Sequence, residues 1–409
     1  MSVHRTGSAG MSRGYNRVAV LRLISGSGPI ARVEIAEQLG LSPATVTAVT
    51  RQLLDHGLVR VADRSPSKGG RPRMLLELVG GAATAFGVKI APDHLVGVRV
   101  DLDAEVLEQF EQPLDVTAAD AVERIGTVLE TWIGPARSGS RLLGLGLGVP
   151  GVIDADRGVS APMIGWEQLP LAQLVQERLG VPVLVDNDVN TLAVSERLYG
   201  RGRNVDNFLT VTVGRGIGLG IIAGGDIYRG FGGGAGEFGH VTVREDGPLC
   251  TCGKHGCLEA LVADPALVAE AKRRKLLSRR DGIDRLRELA DSGDVSAREI
   301  YGQAAAILGR SVADLINVLS PQLVLISGEG TQAWRHMAED FERSLRLHLF
   351  PPLRGVAVEV DPWDDAKWAV GAATLVLRPT FTPLADDTDE DNSVNAWVRA
   401  ESRVREVSA

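Results

Sequence analysis

The chain has 409 residues, of which 44% are hydrophobic and 23% charged, and its formal net charge is −8. That length and apolar content suffice for two or three domains with full cores. No run of eighteen apolar residues and no apolar N-terminal leader occurs, which excludes a membrane-spanning helix and a signal peptide and predicts a cytoplasmic protein.

The charge is divided. Residues 1–75 carry eleven Lys/Arg against four acids, a net of +7, while the remainder carries 33 against 48, a net of −15. A basic head on an acidic body is the pattern of a nucleic-acid-binding module joined to a regulatory domain. A tail over residues 1–12, expected to be disordered, precedes a head over 13–79. Arg17 to Ile24 has helical apolar spacing through Val18, Leu21 and Ile24, and a break is expected at Ser25–Pro29. A short helix follows from Arg32 to Leu39, closed by Gly40. Ser42 and Pro43 supply an N-cap and a first-position proline for a helix running to His56, with Val46, Val49, Leu53 and Leu54 inward. Ser42, Ala44, Thr45, Thr47 and Ala48 are small enough to enter a major groove, and Arg51 lies one turn on. Leu58–Val61 and Met74–Leu78 read as the strands of a wing. Its tip, residues 65–73, is basic and rich in Gly and Pro, so Lys68, Arg71 and Arg73 can lie beside phosphates. The head therefore reads as a winged helix-turn-helix that contacts DNA through Ser42, Ala44, Thr45, Thr47, Arg51, Lys68, Arg71 and Arg73.

From about Thr84 the sequence becomes Gly-rich α/β, expected to continue to residue 380. Residues 85–90 and 95–100 form a hairpin pair, 118–132 a helix, and 142–149 a strand. A strand at 181–185 runs into Asp186-Asn187-Asp188. Residues 208–222 give strand, Gly-rich turn and strand, and 323–326 gives a late strand. This order suggests two α/β lobes around a cleft.

All three cysteines, Cys250, Cys252 and Cys257, fall within eight residues, and His240 stands ten residues before the first. Three thiols and one imidazole complete a tetrahedral zinc set, with Gly253 and Gly256 allowing the sharp path. His255 competes with His240, but it would draw all four ligands from one tight loop, so His240 is preferred. Four protein ligands leave no open position, so one structural zinc per chain is expected, and clustered thiols point to a reducing compartment. The acidic run Asp386–Asp391 lies in a C-terminal tail, 381–409, expected to be solvated.

Three segments carry a family resemblance: Val211–Gly220, Gly236-Glu237-Phe238-Gly239-His240, and Cys250-x-Cys252-Gly253-x-x-Gly256-Cys257-Leu258-Glu259. Over roughly residues 13–378, the chain resembles the repressor branch of the ROK family (repressors, open reading frames and sugar kinases). The resemblance implies an α/β protein, with the N-terminal winged helix-turn-helix followed by a two-lobed actin-like, ribonuclease-H-like domain that binds a sugar between its lobes. It maps the sugar contacts onto Asn187, Asp188, Glu237, His240 and Glu259. Carboxylates suit vicinal hydroxyls, and His240 could present one nitrogen to zinc and the other to a sugar. Met163 stands where the family often has an asparagine, so this chain lacks that amide.

The kinase branch begins the fold with Asp-x-Gly-Gly-Thr-Lys, whereas this chain reads Lys89-Ile90-Ala91-Pro92-Asp93-His94, and Arg215 replaces a small threonine at the second phosphate turn. Pro92 has no N–H to offer a phosphate, so no catalytic residue is assigned. The expectation is a repressor of carbohydrate genes, released by a sugar or amino sugar, free or phosphorylated, and bound as a homodimer or tetramer to an inverted-repeat operator. The alternative is an ATP-dependent sugar kinase carrying an added DNA-binding head.

Overall fold

In a computed structural model of the chain, residues 9–62, 74–134, 141–154 and 157–381 are described, and they form a small head and a two-lobed body. The head contains α1 (Ala9–Ser27), β1 (Ile30–Ala31), α2 (Arg32–Leu39), α3 (Pro43–Asp55), β2 (Val59–Val61) and β3 (Leu75–Leu78). The caps act as expected. Ser42 Oγ accepts from Thr45 N–H at 3.1 Å, and Gly40 ends α2 at φ +63°. Val46, Val49 and Leu53 are buried, and Leu54 packs half-buried beside them. Arg32 Nε donates to the buried Thr50 hydroxyl at 2.8 Å, which fixes α2 against α3.

Two boundaries differ from the sequence expectation. Helix α1 begins at Ala9, inside the segment expected to be disordered, and continues through Ser25, whose hydroxyl donates to Asp103 of the body at 3.3 Å. The break comes at Gly28, with φ +68°. A third strand, β1, was also unforeseen; it pairs with β3 and places it at the centre of a β1-β3-β2 sheet. The wing tip with Lys68, Arg71 and Arg73, and the tail beyond residue 381, lie outside the described residues.

The first lobe contains β4 (Thr84–Ile90), β5 (His94–Asp101), β6 (Val106–Pro113), α4 (Ala121–Ile133), β7 (Leu142–Val149), β8 (Val152–Asp154), β9 (Gly158–Ala161), β10 (Trp166–Leu169), α5 (Leu171–Leu179) and β11 (Val183–Asn187). Its main sheet has the order β11-β7-β4-β5-β6, and β8 to β10 form a small antiparallel sheet. Alternation along β4 sorts the core: Phe86, Val88 and Ile90 face α4 and α5, and Ala85 faces the final helix. Next comes α6 (Asp188–Leu198). The second lobe holds β12 (Phe208–Val213), β13 (Ile217–Ala223), β14 (Asp226–Ile227), α7 (Glu259–Val262), α8 (Asp264–Arg273), α9 (Ile283–Asp291), α10 (Val295–Leu319), β15 (Leu323–Ser327), α11 (Ala338–His348) and β16 (Ala357–Val360). Its sheet order is β14-β13-β12-β15-β16. Finally α12 (Asp365–Phe381) returns to pack on the sheet of lobe one and on α6.

Glycines in β4 and β7 make that return possible. A Cβ at Gly146 would overlap the Ala372 carbonyl oxygen, and one at Gly87 would overlap that of Ala369. Gly146→Ala is therefore expected to push α12 off the sheet and destabilise the body by about 1–3 kcal/mol or more. Thermal denaturation checks this, and an unchanged melting temperature would contradict the packing described.

The head is part of one continuous buried cluster with the body. The cluster runs from Leu21, Ile24 and Ile35 to Leu198, Phe208 and Leu377. Arg22 of α1 shares a small cleft with Arg197, Leu198 and Asp226. Burial and the neighbouring Arg197 both depress its pKa.

Candidate functional site

On the head, the face of α3 that carries Ser42, Ala44, Thr47 and Arg51 is exposed, and Thr45 is half-buried. The Thr47 hydroxyl donates back to the Pro43 carbonyl at 2.7 Å, so its methyl group is left to point outward. Arg51, with an 83% exposed side chain, lies 4.0 Å from Asp55 at the surface.

In lobe two, a hairpin-like loop gathers the cysteines. Cys250 N–H donates to the Lys254 carbonyl at 2.8 Å, Gly253 N–H to the Cys250 carbonyl at 2.9 Å, and Gly256 N–H to the Pro248 carbonyl at 2.9 Å. Gly253 and Gly256 have φ of +86° and +67°, and a Cβ at Gly256 would overlap the Arg244 carbonyl oxygen. The result brings ligand atoms of His240, Cys250, Cys252 and Cys257 within 4.8 Å of one another. His240 Nδ1 is 3.5 Å from Cys250 Sγ, whereas His255 Nδ1 turns away to the Gly247 carbonyl at 3.1 Å. Burial and the adjacent thiols push Cys257 up to about 12. The donor set suits a soft divalent metal.

Between the lobes lies a cavity of about 880 Å³, and its wall includes Asn187, Asp188, Glu237, His240 and Glu259. All five residues singled out as sugar contacts meet there, from both lobes. Asn187 caps α6: its Oδ1 accepts from Val189 and Asn190 N–H at 2.9 and 3.1 Å, and its Nδ2 donates to the Gly151 carbonyl at 2.9 Å. One amide hydrogen is left for a ligand. Asp188, next along, uses Oδ1 on Val189 N–H at 2.9 Å, and burial raises its pKa against the opposing effect of Lys89. His240 presents Nε2 to Glu237 Oε2 at 3.8 Å, on the side of the ring opposite the thiols. Burial raises the Glu237 pKa as well. Glu259 Oε2 accepts from Ile217 N–H at 3.2 Å. Met163 also lines the cavity, 54% exposed, in the middle of the 3-10 turn Pro162–Ile164.

The pairing of several wall residues was not legible in the sequence, because their partners are distant in the chain. Lys89 is nearly buried; its ammonium lies 3.3 Å from Asp365 Oδ1 and 4.3 Å from the centre of the Trp368 ring. Arg215, on the β12–β13 turn, donates through Nη1 and Nη2 to the two oxygens of Asp93 at 2.7 and 3.1 Å. That contact joins the lobes and holds the Asp93 carboxyl well below its usual range. Glu329 extends over the same turn, with Oε1 3.7 Å from Arg215 Nε.

The ROK family profile matches residues 85–378, well over half of the chain. The chain belongs to the ROK family. Residues 15–68 match the MarR family, so the head is a MarR-type winged helix and the body an actin-like ROK domain. The protein is 31% identical over 387 residues to the DNA-binding transcriptional dual regulator NagC of Escherichia coli K12, covering 91% of this chain and 94% of that one. It is 31% identical over 318 residues to the xylose repressor of Bacillus subtilis 168, covering 76% and 81%. Among solved structures, a ROK family transcriptional regulator described as a homolog of the E. coli MLC protein gives a TM-score of 0.79 at 24% identity, over 91% of this chain and 98% of that one. A ROK family glucokinase from Streptomyces griseus, solved with glucose and AMPPNP, gives 0.63 at 30% identity, over 72% and 99%. Among the described residues of this ROK protein, no helix is long and apolar enough to cross a membrane.

Proposed function

We propose that the protein is a sugar-responsive transcriptional repressor of carbohydrate genes, acting in the cytoplasm. The observation that carries this reading is the junction of two sites in one continuous structure. An exposed helix of the head shares a buried cluster with α6 and α12, and the first residues of both helices line a cleft walled by carboxylates from both lobes. Two helices run from the cleft to the head. Asp188 begins α6 at the cavity, and Arg197 and Leu198 near its other end border Arg22 of α1. Asp365 and Trp368 of α12 line the cavity, and its far half joins the buried cluster around the head.

In this reading the sugar is held by Asp188, Glu237, His240 and Glu259, with the remaining amide hydrogen of Asn187. Its binding shifts the lobe angle, and α6 and α12 carry the shift to α1. A homodimer would present two heads to an inverted repeat, and only one lobe state would match the half-site spacing. A coupling of about 1–3 kcal/mol changes operator affinity roughly 5- to 150-fold, and release is the expected direction. One zinc per chain, held by His240, Cys250, Cys252 and Cys257, would fix the tautomer and orientation of His240 and cross-link its loop. The residues named for DNA contact are Ser42, Ala44, Thr45, Thr47 and Arg51, with Lys68, Arg71 and Arg73 on the wing.

The kinase alternative draws on the likeness to the glucokinase and on Asp188, whose position beside a bound sugar would suit a general base. Against it stand Pro92, the cation Lys89 in place of an acid, and the Arg215–Asp93 pair with Glu329 across the turn. Incubation with ATP, magnesium and the best-binding sugar is expected to give no sugar phosphate above background. Turnover that disappears in Asp188→Ala would establish a bifunctional protein instead.

A further inference from the structure

The acids of the proposed sugar site come from different lobes. Asp188 stands at the elbow between β11 and α6, and Glu237 follows the Gly-rich loop after β14. Their separation depends on how those two segments are fastened, and the fastening lies behind the cavity. Arg229, at the start of the loop, donates through Nε to Asp186 Oδ2 at 3.0 Å, and its Nη2 reaches the same oxygen. Asp186 is only 4% exposed. Its other oxygen accepts from Asn187 N–H at 2.8 Å and from Asn190 Nδ2 at 3.2 Å, so the carboxylate also shapes the elbow. The loop is closed by Ala235 N–H donating to the Arg229 carbonyl at 2.9 Å. Its Gly233 rests on the Ile153 backbone of lobe one so closely that a Cβ would overlap the carbonyl oxygen.

We propose that Arg229 is a positioning residue for the sugar site: paired with Asp186, it sets Glu237 of lobe two at a fixed distance from Asp188 of lobe one. This rests on the sugar reading above. Burial of the carboxylate distinguishes it from another ion pair between the lobes: the Asp186 side chain is 6% exposed and that of Arg229 38%. Arg215 and Asp93 have side chains 47% and 61% exposed, and water screens such a pair to little net worth. Loss of Arg229 would instead leave a nearly buried carboxylate without its cation, and the loop would have to move to let water reach it.

The test is calorimetric titration of the full-length, zinc-loaded protein with N-acetyl-D-glucosamine, D-xylose and D-glucose, followed by the tightest of these on variants. Arg229→Gln is expected to weaken binding roughly 10- to 100-fold, the range typical of losing an orienting partner, and Arg229→Lys to recover part of it. In a Glu237→Ala background, Arg229→Gln should add less than about twofold, because the group it positions is already gone. Sugar-free operator affinity should stay within about threefold of wild type, since α3 is untouched. Wild-type sugar affinity in Arg229→Gln, or a full additional loss in the Glu237→Ala background, would overturn the proposal. Should Arg229→Gln fail to fold, Asp186→Asn and Arg229→Lys decide it: weakened binding that vanishes without Glu237 supports it, and wild-type affinity in both overturns it. A wild-type protein that binds no member of a wider panel of free and phosphorylated pentoses, hexoses and amino sugars overturns the sugar site itself, and the positioning role with it.

Discussion

Cys252→Ser is expected to abolish the proposed zinc binding and to lower the stability of lobe two by several kcal/mol. Cys252 is the exposed member of the cluster, while Cys250 and Cys257 are buried. Exchanging sulfur for oxygen there removes little buried surface, so a large effect must come through the lost ligand. The affected region follows from the hydrogen bonds. The loop is tied to strand-like segments by Val243 N–H to the Gly256 carbonyl and Leu258 N–H to the Val241 carbonyl, both 2.9 Å, and Leu258 leads directly into Glu259. Loosening the loop would therefore release His240 and Glu259 together. Elemental analysis of freshly purified protein should fall from one zinc per chain to none, and sugar binding should weaken with it while the head still binds DNA. A Cys252→Ser protein that keeps one zinc and melts like wild type would remove the metal from the account. Zinc retained in His240→Ala and lost in His255→Ala would reverse the choice of nitrogen ligand.

Ala48→Glu is expected to abolish specific operator binding, with a loss of a hundredfold or more. Ala48 is exposed on the face of α3 proposed to meet DNA, one turn from Ala44 and beside Thr47. Glutamate is a good helix former, so the fold should be unaffected. In a groove, however, its carboxylate would meet phosphates, and like-charge juxtaposition at an interface costs several kcal/mol. Fluorescence anisotropy with an operator duplex measures the loss, and circular dichroism supplies the control. Near-wild-type operator affinity in a folded Ala48→Glu protein would mean that α3 does not enter the groove.

What was legible in the sequence follows the range of the interactions involved. Ser42-Pro43, Gly40 and the cysteine spacing act over a few residues, and the caps and the cluster of three cysteines with His240 appear where those residues predict them. Strand β1 is two residues long and leaves no periodic signal. Strand β6 is almost wholly exposed, so it lacks the alternation that reveals a half-buried strand. The glycines of β7 were visible, but their reason, the close approach of α12, involves residues more than two hundred positions away. The acids on the cavity wall were singled out through their motifs. Asp186 with Arg229, and Asp93 with Arg215, escaped notice because each pair joins distant segments of chain, and only the folded lobes bring them together. Asn187 shows the opposite limit: its position was legible, yet its amide is largely engaged in capping α6.

The central claim is that one ligand, bound between the lobes, changes what the head does on DNA. Operator affinity measured with and without the best-binding sugar, in wild type and in Glu237→Ala, tests it most directly. Glu237 lines the cavity from lobe two, and among the described residues its ion pair is with His240, so its removal should leave sugar-free operator binding intact. Wild type should lose operator affinity by roughly 5- to 150-fold when sugar is added, and Glu237→Ala should bind DNA normally and not respond. An equal sugar response in both proteins would contradict the account and place the effector site elsewhere.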